Sequence, residues 1–359
     1  MPGPAAAVPA ALTLIPYLFL HDCGGIATSG KYIAMRILVT GGCGFIGSNF
    51  VRYILEHYKP EFVTNVDALT YAGNRENLED IVRSHNDKYE FFEADIADAG
   101  SMDAILEQHK YFAIVNFAAE SHVDRSIESP MNFIHTNVAG TAVLLEAARK
   151  HHVKRFVQIS TDEVYGSLGP EGKFTETTPI DPSSPYSASK AAADLLVLAA
   201  HKTYGQETII TRCSNNYGPY QFPEKLIPLM ITNALLDLPL PVYGDGKNIR
   251  DWIHVDDHCA AIVSAMLNGK SGEVYNVGAD HEMANIDLVE RILDILDKPR
   301  SLIHYVTDRL GHDRRYAIDS SKAQKELQWK PRKNFDDALC ETIAWYQDNP
   351  IWWKKILSR

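Results

Sequence analysis

Cysteine is scarce in this chain, and its spacing excludes more than its number does. The 359 residues hold five, Cys23, Cys43, Cys213, Cys259 and Cys340, with no C-x-x-C among them. Such a set builds neither a disulfide framework nor a zinc site, and it fits reduced thiols in a cytoplasmic setting with no metal. A positive surplus is missing as well: 35 Lys and Arg against 46 Asp and Glu give a formal net charge of −11. That balance argues against a protein that coats nucleic acid or an anionic membrane, yet it permits a local basic pocket for a phosphorylated small molecule. Long hydrophobic runs are lacking too. The apolar stretch from Ala5 to Leu20 is short and broken by proline, which makes it a poor membrane span. No Lys or Arg precedes it, so it is also a weak signal peptide. We read residues 1–34 as a disordered N-terminal extension outside the fold.

What is present is the make-up of an ordinary globular protein, 45% hydrophobic and 23% charged. The length allows two domains, or one large domain with insertions. From Met35 short apolar strands alternate with amphipathic helices. Strands are expected at Arg36–Thr40, Phe62–Val66, Tyr89–Glu93, Ala113–Phe117, Phe156–Ser160 and Thr208–Arg212, with helices at Ser48–Tyr58, Met131–His151 and Tyr186–Tyr204. This rhythm implies an α/β fold, a doubly wound parallel (Rossmann) sheet covered on both faces. After Arg212 polar, Pro- and Gly-broken loops and short helices take over, with one more strand at Val274–Val277. We assign residues 35–212 to the dinucleotide-binding domain, with segments around 247–280 returning to it. Residues 213–359 are mainly a smaller C-terminal substrate-binding lobe.

Directly after the first strand comes TGGCGFIGSNF, in which Gly41, Gly44 and Gly47 recur at three-residue spacing. Glycine there permits a tight turn, close approach of backbone N–H groups to a pyrophosphate, and close helix–strand packing. We assign cofactor contact to these glycines and to Phe45 and Ile46 between them. Twenty residues beyond Gly47, Asp67 ends the second strand, where a carboxylate binds both ribose hydroxyls of NAD and repels the 2′-phosphate of NADP. Asp95 and Ile96 follow the third strand and are placed beside the adenine. Tyr186 and Lys190 stand four residues apart on one helix face. Alone, such a pair is common and is more often a surface or packing feature. Beside an NAD site it has a mechanism, since an ammonium near a phenol favours the phenolate, and the tyrosine then serves as a base. The triplet Thr161-Asp162-Glu163 ends the strand FVQIS. A solvated strand end or helix N-terminus is the plain account of two adjacent acids, but this strand delivers them to the same sheet edge as the cofactor.

Seven segments in order carry a resemblance: TGGCGFIGSNF, NFAAESHVDRSI, STDEVYG, SPYSASKAA, RCSNNYGPYQFPEKLIP, VYGDGKNIRDWIHVDDH and GHDRRYAID. From Met35 to about Trp345 the chain resembles the NAD-dependent dTDP-glucose 4,6-dehydratase family, in the extended short-chain dehydrogenase/reductase superfamily. The resemblance implies dTDP-glucose as substrate and a lyase reaction that oxidises carbon 4, eliminates water across carbons 5 and 6, and returns hydride to carbon 6. It implies that Tyr186 takes the 4-hydroxyl proton with Thr161 nearby, Glu163 takes the carbon-5 proton, and protonated Asp162 serves the leaving hydroxyl. Lys190 holds the nicotinamide ribose, and Ala118 joins the cofactor wall. His122, Asp124, Asn216, Glu224, Lys225, Leu226, Tyr243, Arg250, His312, Arg315 and Tyr316 are implied as substrate contacts. A homodimer through a four-helix bundle of the Met131–His151 and Tyr186–Tyr204 helices is implied too, although a buried intrachain face reads the same. The leader has no place in the family pattern. A UDP-glucose 4,6-dehydratase, an epimerase or a decarboxylase on this fold, and an NAD-binding regulator without catalysis, are the rival readings.

Overall fold

The computed structural model describes residues 33–358, with side chains from Met35 onward, so the reading of the leader falls outside the described residues except at its end. The strands are β1 Ile33–Thr40, β2 Pro60–Asp67, β3 Tyr89–Glu93, β4 Ala113–Asn116, β5 Arg155–Thr161, β6 Thr208–Cys213, β7 Asn215–Tyr217, β8 Leu240–Tyr243, β9 Ile249–His254, β10 Val274–Val277, β11 Glu282–Ala284 and β12 Ile303–Val306. Seven of them form one parallel sheet in the order β10-β6-β5-β4-β1-β2-β3. Its middle strands are buried on both faces, as parallel strands covered by helices must be, and they therefore read as continuous apolar runs. The strand order reverses between β1 and β4, which opens a crevice at the carboxyl edge. A buried hydrogen-bond chain crosses the sheet there: Thr40 Oγ1 donates to Asn116 Oδ1 at 2.6 Å, and Asn116 Nδ2 to Gln158 Oε1 at 2.9 Å.

The expected strands at Tyr89–Glu93 and Val274–Val277 match residue for residue, and the others shift by a few residues at their ends. The long helix expected over Met131–His151 is composite: an α turn Pro130–Phe133, a π-helical stretch Ile134–Gly140 and an α-helix Thr141–Lys150. The wide stretch coincides with buried Asn137, whose side chain is tied to the backbone of Glu120 and to Ser189 Oγ at 2.8–3.0 Å. Such π insertions are frequent near functional sites.

The C-terminal third is more helical than its loops suggested. Helices Val255–Asn268 and Phe335–Asp348 run fourteen residues each. In the first, nine of the fourteen are buried, so no single apolar stripe marks it in the sequence. Its Val255, Cys259, Ile262, Val263 and Met266 share a core with Phe50 and Ile54 of helix Phe45–His57. A second core joins β7, β8 and β9 to helices Leu226–Leu235, Asn285–Ile295 and Phe335–Asp348 through Ile231, Trp252, Leu293 and Leu339. Among the described residues no helix is long and apolar enough to cross a membrane.

Candidate active site

The carboxyl edge of the large sheet opens into one cavity of about 790 Å³, within the range usual for small-molecule sites. One side is built by the turn after β1. Gly41 adopts φ +68°, and a Cβ there would lie 2.6 Å from the backbone nitrogen of Ala118, so only glycine is accommodated. Gly44 caps helix Phe45–His57 without a side-chain partner, which leaves first-turn N–H groups and the positive end of the helix dipole at the cavity wall. A Cβ on Gly44 would meet only the Gly41 carbonyl, at 3.3 Å. Phe45, Ile46 and Gly47 continue the wall.

Asp67 ends β2 nearly buried, its two oxygens accepting the N–H groups of Cys43 and Leu69 at 2.8 Å. Burial pushes its pKa up and these bonds restrain it. Each oxygen keeps lone-pair capacity for a ribose hydroxyl. Asp95, Ile96 and Ala118 also line the cavity; Asp95 is paired with His135 at 3.0 Å, and Ile96 lies against Gly140. This wall fits an NAD-type dinucleotide: uncapped backbone donors for a pyrophosphate and a carboxylate for a ribose.

β5 ends at Thr161, and the next four residues form a 3₁₀ turn that the Thr161 hydroxyl caps by accepting Glu163 N–H at 3.2 Å. The tight turn replaces strand alternation and is why two consecutive acids lie in one region. Glu163 and Thr161 line the cavity, whereas Asp162 lies off its wall. One Asp162 oxygen accepts from Thr161 Oγ1 at 3.3 Å, and the other, Oδ2, is buried without a partner. Burial raises the pKa of both acids. For Asp162 the charges of Glu163 and Asp251 add to the rise, and it stands well above the usual carboxylate range. For Glu163 the cations Arg250, Lys225 and Arg309 oppose it. Two neighbouring carboxyls are thus driven apart, the condition for one acid and one base.

Helix Pro185–Tyr204 begins with a capping box in which Ser184 and Ser187 each bond the other's backbone N–H, and Pro185 occupies its first turn. That fixed start sets Tyr186 and Lys190 on the cavity wall. Lys190 donates to the Ile159 carbonyl at 2.6 Å, and burial lowers its pKa. The phenol of Tyr186 departs from the expectation: burial, followed by the charge of Glu163, pushes it well above its ordinary value, with a Thr161 hydrogen bond opposing. Below the pair lies a feature missed in the sequence, Asp194 bonded to Arg212 at 2.8 Å with both side chains buried. Its signal was available, since Tyr186, Lys190 and Asp194 continue one face at four-residue spacing.

The opposite wall holds the expected substrate residues, with one exception. His122, Asp124, Asn216, Glu224, Lys225, Leu226, Tyr243, Arg250, His312 and Tyr316 all line the cavity. Glu224 accepts from Tyr71 Oη at 2.9 Å, and Lys225 donates to the Ser121 carbonyl at 2.9 Å. Asn216 Oδ1 meets His258 Nδ1 at 2.8 Å. Arg250 lies over the Tyr316 ring, 4.3 Å from its centroid, and bonds the Asp313 carbonyl. Burial lowers the pKa of His122 to about 4, so it is neutral at pH 7. Arg315 is not in the wall. Its guanidinium grips Glu282 at 2.6 and 2.9 Å and the carbonyls of Gly169 and Gly172, which fully commits it to bracing a loop. Sequence reasoning also missed Arg309, which lines the cavity and holds Asp124 with two bonds of 2.5 and 2.8 Å. It stands two residues ahead of the GHDRRY segment, in a loop without periodicity to mark it.

Fold and wall together define a nicotinamide-dinucleotide enzyme of the extended short-chain dehydrogenase/reductase class, with acids that hydride transfer alone does not require. The family model described as GDP-mannose 4,6 dehydratase matches residues 38–342. A dTDP-glucose 4,6-dehydratase of Xanthomonas campestris pv. campestris is 53% identical over 339 residues, covering 89% of this chain and 95% of that protein. A crystal structure of a dTDP-glucose 4,6-dehydratase from Streptomyces venezuelae, with NAD bound, superposes with a TM-score of 0.87 at 48% identity, covering 90% of this chain and 100% of that one. One from Bacillus anthracis, in complex with NAD, gives a TM-score of 0.83 at 51% identity with the same coverage. The chain belongs to the dTDP-glucose 4,6-dehydratase family.

Proposed function

We propose that the chain converts dTDP-glucose to dTDP-4-keto-6-deoxyglucose and water as an NAD-dependent hydro-lyase. The observation that carries this reading is the Thr161-Asp162-Glu163 turn beside Tyr186, in a chain about half identical to dTDP-glucose 4,6-dehydratases. Gly41, Gly44, Gly47 and Asp67 would hold NAD, with Lys190 at the nicotinamide ribose. When bound, NAD accepts hydride from carbon 4 of the sugar and returns it to carbon 6, so none is consumed.

Tyr186 takes the proton of the 4-hydroxyl as phenolate, and Thr161 hydrogen-bonds the same oxygen. Burial and Glu163 oppose the phenolate, and the positive charge of Lys190 and of a bound nicotinamide ring would favour it. The ketone at carbon 4 acidifies the carbon-5 proton, which Glu163 removes. Protonated Asp162 donates to the hydroxyl leaving carbon 6; since it lies off the cavity wall with Oδ2 buried and unpartnered, this step requires its side chain to turn toward the bound sugar. A proton is finally restored at carbon 5. An epimerase needs the tyrosine and a hydroxyl, and has no use for the two acids. Lys225, Arg250 and Arg309 supply the positive charge that a diphosphate requires.

The working form in this reading is a cytoplasmic homodimer. Large apolar side chains stand exposed on the two helices assigned to its four-helix bundle, Met131 at 69%, Leu195 at 56% and Tyr204 at 63%. The test of function is incubation of the purified protein with dTDP-glucose or UDP-glucose, followed by mass spectrometry. The reading expects loss of one water with dTDP-glucose preferred. Dehydration of neither sugar nucleotide overturns it, and preference for UDP-glucose overturns the nucleotide assignment.

A further inference from the structure

The segment from Asn215 to Lys225 brings Asn216, Glu224 and Lys225 to the cavity, and it turns at Tyr220 with φ +65°. A bulky aromatic residue in the left-handed region persists only where its surroundings hold it, and such strain gathers at ligand clamps. Here the surroundings come from two other parts of the chain. The Arg52 guanidinium, on the helix that begins at the Gly-rich turn, stacks 4.5 Å from the Tyr220 ring centroid. Trp345 and Trp352, from the C-terminal helices, lie 4.7 and 5.9 Å away.

The residues on either side are tied to the same two places. Asn49 Nδ2 bridges the carbonyls of Pro219, at 3.0 Å, and Phe45, at 2.9 Å. Tyr346 Oη donates to the Gln221 carbonyl at 2.5 Å. The tie continues into the Gly-rich turn itself. Trp352 Nε1 donates to Asn77 Oδ1 at 2.9 Å, and Asn77 Nδ2 donates to the Cys43 carbonyl at 2.9 Å. Cys43 N–H in turn bonds Asp67 at 2.8 Å. Pro219 and Tyr220 are thus fastened to the helix that begins at the dinucleotide turn, and Tyr220 and Gln221 to the C-terminal helices.

We infer that Tyr220 is a positioning residue that couples retention of the dinucleotide to the grip on the nucleotide sugar, an inference that rests on the function proposed above. The ring is the coupling part and the left-handed backbone aims the loop toward the cavity. The inference is tested with Tyr220→Ala, Tyr220→Phe and Tyr220→Gly. Glycine relieves the backbone strain while removing the ring, so it supplies a second ring-free variant should the alanine form fold poorly.

In each folded protein the release rate of NAD is measured by dilution, dTDP affinity by calorimetry with and without NAD, and kcat and KM with dTDP-glucose. Without the ring, NAD release should accelerate about tenfold and the effect of NAD on dTDP affinity should fall toward zero, because coupling between two ligands is reciprocal. KM should rise with kcat within about twofold, the pattern of lost binding rather than lost chemistry. Tyr220→Phe should behave as wild type. A ring-free variant whose NAD release and dTDP affinity match wild type, with only thermal stability lowered, overturns the inference. NAD release is read without any sugar, so it decides the inference even if the wild-type protein dehydrates no sugar nucleotide, a result that would overturn the function instead.

Discussion

Asp162 and Glu163 are adjacent in sequence and yet meet different charges. Asp162 faces two further carboxylates, Glu163 and Asp251, while three cations act on Glu163. If Glu163 is the carbon-5 base, Glu163→Gln should lower kcat by about 100- to 10,000-fold, the usual worth of a positioned base. Oxidation at carbon 4 should survive, so mixing with dTDP-glucose should give a stable nicotinamide absorbance near 340 nm. A variant that shows neither absorbance nor product assigns Glu163 to an earlier step. The acid limb of the kcat profile should report the same residue. Arg309 opposes the rise of the Glu163 pKa, so Arg309→Ala should raise that pKa further and move the limb to higher pH. A limb that stays in place or moves down removes Arg309 from the electrostatics of the site. The residues read from the sequence divide along physical lines. Gly41, Asp67, Tyr186 and Lys190 were legible as residues of the cavity wall, because backbone geometry or helical spacing demands their types in place. Arg315 was misjudged because its segment shows an abundance of cations, while only three-dimensional structure shows that Glu282 engages it.

At the scale of elements, β9 shows how one strand serves site and core together. Successive side chains point to opposite faces, so Arg250 reaches the cavity while Asp251 is buried, accepting the His281 N–H at 2.8 Å with Oδ1 and leaving Oδ2 without a partner. Burial raises the pKa of Asp251 from 3.8 to about 6. The folded state therefore binds this proton more tightly than the unfolded chain. Its contribution to stability is full below pH 3.8 and is lost as pH rises through about 6, on the order of 3 kcal/mol in all. Asp251→Asn should remove that dependence, so the stability gap between variant and wild type should shift in favour of the variant from pH 4 to pH 7, measured by urea unfolding. A gap that does not change with pH contradicts the assignment. Strands of the large sheet were legible because double-sided burial makes each a short apolar run. Helix Val255–Asn268 was not, since a helix buried on most sides loses the periodic stripe that identifies it. The π-helical stretch was likewise hidden, because it depends on what Asn137 touches far along the chain.

For the whole molecule, the exposed apolar residues on the composite helix 130–150 and on helix Pro185–Tyr204 bear on assembly. Light scattering should give wild type about twice the 40.1 kDa chain mass, and a Met131→Glu, Leu195→Glu double variant about one chain mass, since charge on a buried face opposes association. A monomeric wild type refutes the dimer. The account of the chemistry holds that one bound NAD carries hydride from carbon 4 to carbon 6 of the same sugar while Glu163 and Asp162 remove water between the two transfers. Turnover of dTDP-glucose deuterated at carbon 4, read by proton NMR and mass spectrometry of the product, tests this most directly. The account predicts deuterium at carbon 6 of the 4-keto-6-deoxy product without added cofactor. Deuterium retained at carbon 4, or an undehydrated product, would contradict it.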